Sequence, residues 1–286
     1  MNRSGGIAAD YLQVRQAARG ALAVSIVLHH PHLALLTRTL DTLNRALQHV
    51  GSTIGRTEVF MVDHSPSRQP DDVLADWQKL FGARVKINYD FVGANPGFGA
   101  GHNHAFAHCN QWAEYFLVAN PDLEFAPDSI AAGIDFLGSN LAVGLLAPAL
   151  IEADGGLCPA CFRYPDVRTL LLRALGADAA HPRIAAYECR DWDPGVPKAD
   201  PPGVSGCCML FRASAYARLG GFDPAYFLYF EDFDLSLRAG RLGLSAYYPG
   251  MRVQHFGGGV ARKGWRHIAY FARSAARFFN THGWRV

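Results

Sequence analysis

Three short runs of this 286-residue chain combine residue types that do chemistry. Tyr229-Phe230-Glu231-Asp232-Phe233-Asp234 sets three carboxylates within four residues, just ahead of a helical pattern (Leu235, Leu237, Leu242). One carboxylate suffices to cap a helix, and the helix dipole favours acids there. Three together repel one another, so the cluster suits a general base or a group facing a cation. Asn120-Pro121-Asp122 follows an apolar run, Tyr115–Ala119. The triplet is ordinary turn chemistry. At a strand end, Asp122 is also placed to hold a hard divalent cation against a diphosphate. His255 precedes Gly257-Gly258-Gly259, with Arg262 and Lys263 behind. A neutral imidazole ligates divalent metals, the glycines let a loop close, and the two cations suit phosphate oxygens.

These groups need a scaffold that brings them together. Residues 21–30 are apolar and β-branched and read as a buried strand. Leu36, Leu40, Leu43, Leu47 and Val50 make one helical stripe. Further strands are expected at 58–62, ending in Asp63, at 85–91 and at 115–119, with a helix over 71–81. A glycine-rich stretch, 93–103, leads into a short helix. This alternation implies βαβ crossovers and a mainly parallel sheet. Ligands of such sheets bind beyond the carboxyl ends of the strands, where His29-His30, Asp63-His64 and Asn120-Pro121-Asp122 fall. Past Leu150 the pattern loosens, and 152–202 reads as an insertion or lid-like region. Order returns with strands over 204–211, near 244–248 and over 252–255, and a last helix over about 265–280.

Several chemistries are excluded. Gly97, Gly99 and Gly101 do not spell G-x-G-x-x-G, and they follow the third strand rather than the first, so no dinucleotide fingerprint is present. There is no Walker-type Gly-Lys-Ser/Thr and no Gly-x-Ser-x-Gly elbow. Cys158-Pro159-Ala160-Cys161 lacks the second pair of a structural zinc site. With 50% apolar and 18% charged residues the composition is that of an ordinary globular chain, not a disordered one. No apolar run reaches the roughly 18 residues of a membrane helix, and the first residues lack an apolar leader segment. A cytoplasmic location with six free thiols is the expectation.

The net charge of +2 conceals an asymmetry. From Leu235 onward there is no acid and there are nine cations, while the rest of the chain holds 18 cations against 25 acids. Such an end suits an anionic partner. A long nucleic acid is disfavoured by the acidic body and the lack of a recognition motif. On a helix, Arg266, Tyr270, Arg273 and Arg277 share one face, while Trp265, Ile268, Phe271, Ala275 and Phe278 line another. That pattern suits either docking on anionic lipid or packing on the core with a basic face outward.

Taken in order, these segments resemble the inverting family-2 glycosyltransferases of GT-A fold, and within them the bacterial rhamnosyltransferase branch. Val62-Asp63-His64-Ser65 resembles the strand end whose Asp contacts the nucleotide base. Asn95-Pro96-Gly97-Phe98-Gly99 with Asn103 resembles the Asn-x-Gly-Phe loop. Leu117-Val118-Ala119-Asn120-Pro121-Asp122 resembles the metal-motif strand, with Asn120 in place of its first Asp. Ser205-Gly206-Cys207-Cys208 and Gly220-Gly221-Phe222-Asp223 lead to the acidic block, with His255 after it; this is the most specific part. The resemblance covers roughly residues 20–260.

It implies an α/β, GT-A-type (Rossmann-like) fold: a mainly parallel central sheet, flanking helices and a C-terminal helical tail. Residues 1–264 would form the glycosyltransferase domain, with a nucleotide-binding half (about 20–125) and an acceptor/catalytic half (about 126–264). Residues 265–286 would be a basic amphipathic helix. The implied reaction is sugar transfer to a hydroxyl of a cell-surface or lipid-linked glycan, such as an O-antigen precursor. L-rhamnose from dTDP-rhamnose is the favoured donor, ahead of a UDP-sugar (GlcNAc, Glc, Gal or Galf). A catalytically silent sugar-nucleotide-binding or glycan-binding domain is the alternative. By the same resemblance, Asp63 would bind the base, and His30, Asn95, Gly97, Asn103 and Asn120 would form the donor pocket with Arg262 and Lys263. Asp122 and His255 would hold Mg²⁺ or Mn²⁺. Asp232 would be the base, with Glu231 in support. Arg266, Arg273 and Arg277 would meet the acceptor or the inner membrane, and a homodimer is compatible with this reading.

Overall fold

The computed structural model describes residues 20–51, 53–152, 155–256 and 265–285. Its first half is β1 (Gly20–Leu28), α1 (Leu33–His49), β2 (Ile54–Asp63), α2 (Asp71–Phe81), β3 (Val85–Phe91), α3 (Phe98–Ala107) and β4 (Tyr115–Ala119). The four strands pair in the order β3-β2-β1-β4, all parallel. The reason lies in the residues. Leu22, Val24, Ile26 and Leu28 alternate with Ala23 and Ser25, and all six are fully buried. A strand covered on both faces reads as a continuous apolar run. The α1 stripe of Leu36, Leu40 and Leu43 is likewise wholly buried and supplies one of the covers.

The second half runs β5 (Leu123–Phe125), α4 (Ser129–Ser139), β6 (Leu145–Ile151), β7 (Leu157–Cys158), β8 (Cys161–Phe162), α5 (Val167–Ala174), α6 (Pro182–Tyr187), β9 (Lys198–Ala199), β10 (Gly203–Val204), β11 (Cys208–Arg212), α7 (Ala213–Leu219), α8 (Glu231–Gly240), β12 (Ser245–His255) and α9 (Trp265–His282). The sheet continues from β4 through β11, β6 and β12 to β5 and, with β7 and β9 on its flank, has ten strands. β11 is antiparallel to both β4 and β6, while β6 and β12 are parallel. The longest ladders are parallel, as the alternation of elements requires.

Three differences from the sequence expectation have plain causes. The two strands expected near 244–248 and 252–255 are one strand, β12, whose register slips between Tyr248 and Arg252. Pro249 and Gly250 fall in that slip, where a bulge tolerates both. The strand expected over 204–211 is split: β10 pairs with β8 in a separate two-stranded sheet, and only β11 joins the main sheet. Residues 152–202 hold short strands and helices rather than an irregular lid; α5 is capped by Asp166, whose side chain accepts the Thr169 N–H.

Helix α9 is built into the core. Phe278 and Phe279 are buried with Tyr226 and Phe230 in a second apolar cluster. His282 Nε2 lies 2.8 Å from Asp234 Oδ1, and Ser274 Oγ donates to the Leu228 carbonyl at 2.8 Å. Among the described residues no helix is long and apolar enough to cross a membrane.

Candidate functional site

The carboxyl ends of β4 and β12 and the amino end of β11 meet at one place. Asp122 lies on the turn from β4 to β5, and His255 ends β12 directly across from Leu123 of β5. The Phe256 N–H donates to the Asp122 carbonyl at 3.0 Å. Thr39 of α1 braces the same turn: its hydroxyl lies 3.0 Å from the Pro121 carbonyl and accepts the Leu123 N–H at 2.9 Å. Asp122 Oδ1 and His255 Nε2 come within 3.4 Å of each other. Both atoms are shut off from solvent without a hydrogen-bond partner among the described residues. A buried polar atom left so is costly unless a ligand completes it. A carboxylate oxygen beside an imidazole nitrogen is a fitting donor set for Mg²⁺ or Mn²⁺.

The acidic cluster is the second wall. Its three carboxylates have three different fates. Asp234 is structural: Arg238 grips Oδ2 through Nε (2.9 Å) and Nη2 (2.7 Å), and His282 holds Oδ1. Asp232 is held by two backbone donors, Gly206 N–H on Oδ2 at 2.9 Å and Phe233 N–H on Oδ1 at 2.8 Å. Burial raises its pKa, and those N–H donors work against the rise. Glu231 is buried, and its Oε2 lacks a partner among the described residues. Burial first, then the neighbouring Asp232 charge, pushes its pKa well above the usual carboxylate range. Both carboxyls are pushed up, Glu231 the further, so of this pair Glu231 is the one that favours the proton.

Backbone geometry presents this pair. Tyr229 and Phe230 sit at φ +69° and +64° immediately before Glu231. Two successive non-glycine residues in the left-handed region are rare and strained, a feature that clusters at functional sites. Between the walls lies Ser205-Gly206-Cys207. Gly206 allows the contact: a Cβ there would come 2.9 Å from Asp232 Cβ. Cys207 directly follows Gly206, whose N–H holds Asp232. Its carbonyl accepts the Asn120 N–H at 2.8 Å, which locks the strand end carrying the metal candidate to the strand beside the base candidate.

The remaining sequence candidates fall in several places. His30 is exposed at the end of β1, at φ +50°, and its N–H donates to Ser65 Oγ at 3.0 Å. Asn95 is exposed and its Oδ1 accepts the Gly97 N–H at 3.0 Å. Gly97 serves packing: at φ +109°, a Cβ would lie 2.3 Å from the Phe227 carbonyl oxygen. Arg262 and Lys263 lie outside the described residues, as do Gly257, Gly258 and Gly259.

Some roles change. Asp63 is fully buried, and its carboxylate is already occupied by the Tyr89 hydroxyl (2.7 Å), the Gln69 amide (3.3 Å) and the Ser65 N–H (2.8 Å). Asp63 thus ties the end of β2 to β3 and to the loop that follows β2. Asn103 gives its amide to the Phe222 backbone, donating to the carbonyl at 2.8 Å and accepting the N–H at 3.0 Å, and also accepts the Tyr216 hydroxyl at 2.7 Å. It positions the turn ahead of the acidic block. Arg277 is committed to Asp223 at 2.7 Å, whereas Arg266 and Arg273 are exposed. His64 and His102 are buried and burial lowers both pKa values, His102 to about 3, so neither brings charge to a diphosphate.

Thr39 and Gly206 were not singled out from the sequence as site residues. Thr39 left a faint signal as a hydroxyl beside the apolar stripe of α1. Gly206 left one as a small residue directly before an apolar strand.

No protein-family model matches the chain. Over 177 residues it is 35% identical to the N-acetylglucosaminyl-diphospho-decaprenol L-rhamnosyltransferase of Mycobacterium tuberculosis; the match covers 57% of this chain and 57% of that protein. The chain thus matches little more than half the length of that relative. It is 24% identical over 243 residues to rhamnosyltransferase WbbL of Escherichia coli, covering 81% of this chain and 82% of the relative. Among solved structures, GalNAc-T7 with UDP, GalNAc and Mn²⁺ superposes with a TM-score of 0.59 at 15% identity, over 92% of this chain and 48% of that one. Mannosyltransferase PcManGT from Pyrobaculum calidifontis, in complex with GDP-Man and Mn²⁺, gives 0.55 at 16% identity, over 91% and 65%. The fold is that of the GT-A glycosyltransferases.

Proposed function

We propose that this chain, a GT-A-fold relative of the rhamnosyltransferases, is an inverting glycosyltransferase. It moves a hexose, with L-rhamnose from dTDP-rhamnose as the favoured donor, to a hydroxyl of a glycan or lipid-linked glycan. The observation that carries the reading is the orphaned Asp122–His255 pair, whose strand end is tied through Asn120 and Cys207 to Gly206 and so to Asp232 beside Glu231. The two relatives named rhamnosyltransferases support the sugar. Neighbours holding UDP, GDP-Man and Mn²⁺ support a nucleotide-sugar donor and a divalent ion.

Asp122 and His255 would hold Mg²⁺ or Mn²⁺, whose charge offsets that of the leaving nucleoside diphosphate. The chain's own residues do the rest. An acceptor hydroxyl is a poor nucleophile until its proton is removed as the bond forms. Asp232 takes that proton on a carboxylate oxygen still free to accept, while Gly206 and Phe233 hold the group in place. Such a base contributes roughly 10²–10⁴ in rate. Glu231, still protonated, adds no second negative charge beside it. A single displacement inverts the anomeric centre and needs no protein nucleophile.

Exposed Trp265 (75%) and Ile268 (59%), together with Arg266 and Arg273 at the start of α9, suit contact with an anionic lipid surface. Calorimetry with dTDP-rhamnose, UDP-glucose, UDP-N-acetylglucosamine and GDP-mannose, each with and without Mn²⁺, tests the reading. Metal-dependent binding of dTDP-rhamnose alone is expected. Preference for another donor would replace the sugar, and no binding of any donor would overturn the enzyme reading.

A further inference from the structure

A second cluster of metal-ligating groups lies away from this site. Asp90 is the penultimate residue of β3, the edge strand of the sheet. His104 lies in the last turn of α3, and His108 is its C-terminal cap, still at helical angles (φ −86°, ψ −10°). Four residues apart on a helix, the two imidazoles share a face one turn from each other. Their ring centroids are 5.0 Å apart. His104 Nε2 is hydrogen-bonded to Asp90 Oδ2, which aims the middle ligand. One ligand atom from each of the three residues lies within 4.8 Å of the others. The proposed sugar transfer has no use for this group.

We propose that Asp90, His104 and His108 form a binding site for a transition-metal ion of the Zn²⁺ or Ni²⁺ type. Two imidazoles and one carboxylate select such ions over Mg²⁺ or Ca²⁺, which want oxygen ligands. The place also suits a cation, because the dipole of α3 points its negative end at this turn. The ion would join the end of β3 to α3. Those two elements are the stems of segment 92–97, which carries Asn95 and Gly97. A metal clip there closes the stretch from Asp90 to His104, segment 92–97 included, and removes conformations open to it otherwise.

The test is calorimetric titration of the full chain with Ni²⁺, in a parent carrying Asp122→Ala so that the Asp122–His255 pair is out of play. One Ni²⁺ per chain is expected. His104→Ala with His108→Ala should abolish that binding. Asp90→Asn, which replaces the one anionic ligand with a neutral amide oxygen, should weaken it by at least about tenfold. All three side chains are open to solvent, so these variants are expected to fold. Hydrogen exchange at amides 92–97 should slow when Ni²⁺ is added. Binding unchanged in the double variant, or lost already in the Asp122→Ala parent, would overturn the site. Binding without slower exchange would overturn the clip.

Discussion

Asp122 Oδ1 stands 3.4 Å from His255 Nε2, and neither atom has a hydrogen-bond partner among the described residues. The two arrive from strands paired antiparallel, His255 opposite Leu123, so the main chain fixes their spacing. The pair does not hold the fold together by hydrogen bonding. Asp122→Ala and His255→Ala are therefore expected to leave the melting temperature close to that of the parent. Both should remove the Mn²⁺ dependence of donor affinity. Calorimetry with and without chelator checks this; donor affinity that still responds to Mn²⁺ in both variants would place the metal elsewhere.

Asp232→Asn separates binding from chemistry. The amide keeps an oxygen for one of the two backbone donors, so about 1 kcal/mol of stability is at stake for the other. Donor affinity should stay within a few-fold of the parent, because Asp232 acts on the acceptor side. Turnover should fall by roughly 10²–10⁴. Retained turnover would remove Asp232 as the base.

The sequence showed the parts of the site that depend on local pattern. The strands ending at Asp63 and Ala119 were readable because buried parallel strands make unbroken apolar runs. The acidic block was readable because three adjacent carboxylates are unusual. What was hidden depends on contacts between distant segments. Asp234 has a local mark in Arg238, four residues on along the helix, but its second partner, His282, lies 48 residues away and leaves none. The partner of the Asn103 amide, Phe222, lies 119 residues on and could not be read from the loop itself. Strands of two or three residues, such as β5 and β9, are too short to leave a period at all.

The raised pKa of Glu231 has a consequence for stability. Its ordinary value is 4.5, and the folded chain keeps the proton to well above that. Between those two values the native state binds more protons than the unfolded state. Stability then falls as pH rises, by up to about 1.4 kcal/mol per pH unit for one proton. Glu231→Gln removes this decline and leaves the part due to Asp232, whose pKa is also raised. The depressed pKa values of His64 and His102 work the other way below about pH 6.5 but are common to both proteins. The readout is therefore the difference between urea midpoints from pH 4.5 to pH 8: the variant should gain on the parent as pH rises. Parallel curves would mean that Glu231 does not hold the proton.

Gly206 holds Asp232, the proposed base, through its N–H, which makes it a sharper probe of position than Asp232 itself. A Cβ at 206 would lie 2.9 Å from Asp232 Cβ and 3.2 Å from its Oδ2. Contacts that short force a shift, and Asp232 can move only by loosening its bonds to the Gly206 or Phe233 N–H. Misplacing a reacting group by about 1 Å costs on the order of 10²-fold in rate. Gly206→Ala should therefore lower kcat by about that factor and leave the metal dependence of donor binding intact, since Asp122 and His255 lie on other elements. Those N–H bonds also oppose the burial that raises the Asp232 pKa. Weakening them should move the acid limb of the pH profile upward. A loss of kcat with an unmoved acid limb and lost metal response would mean that the substitution had deformed the whole site instead of displacing the base.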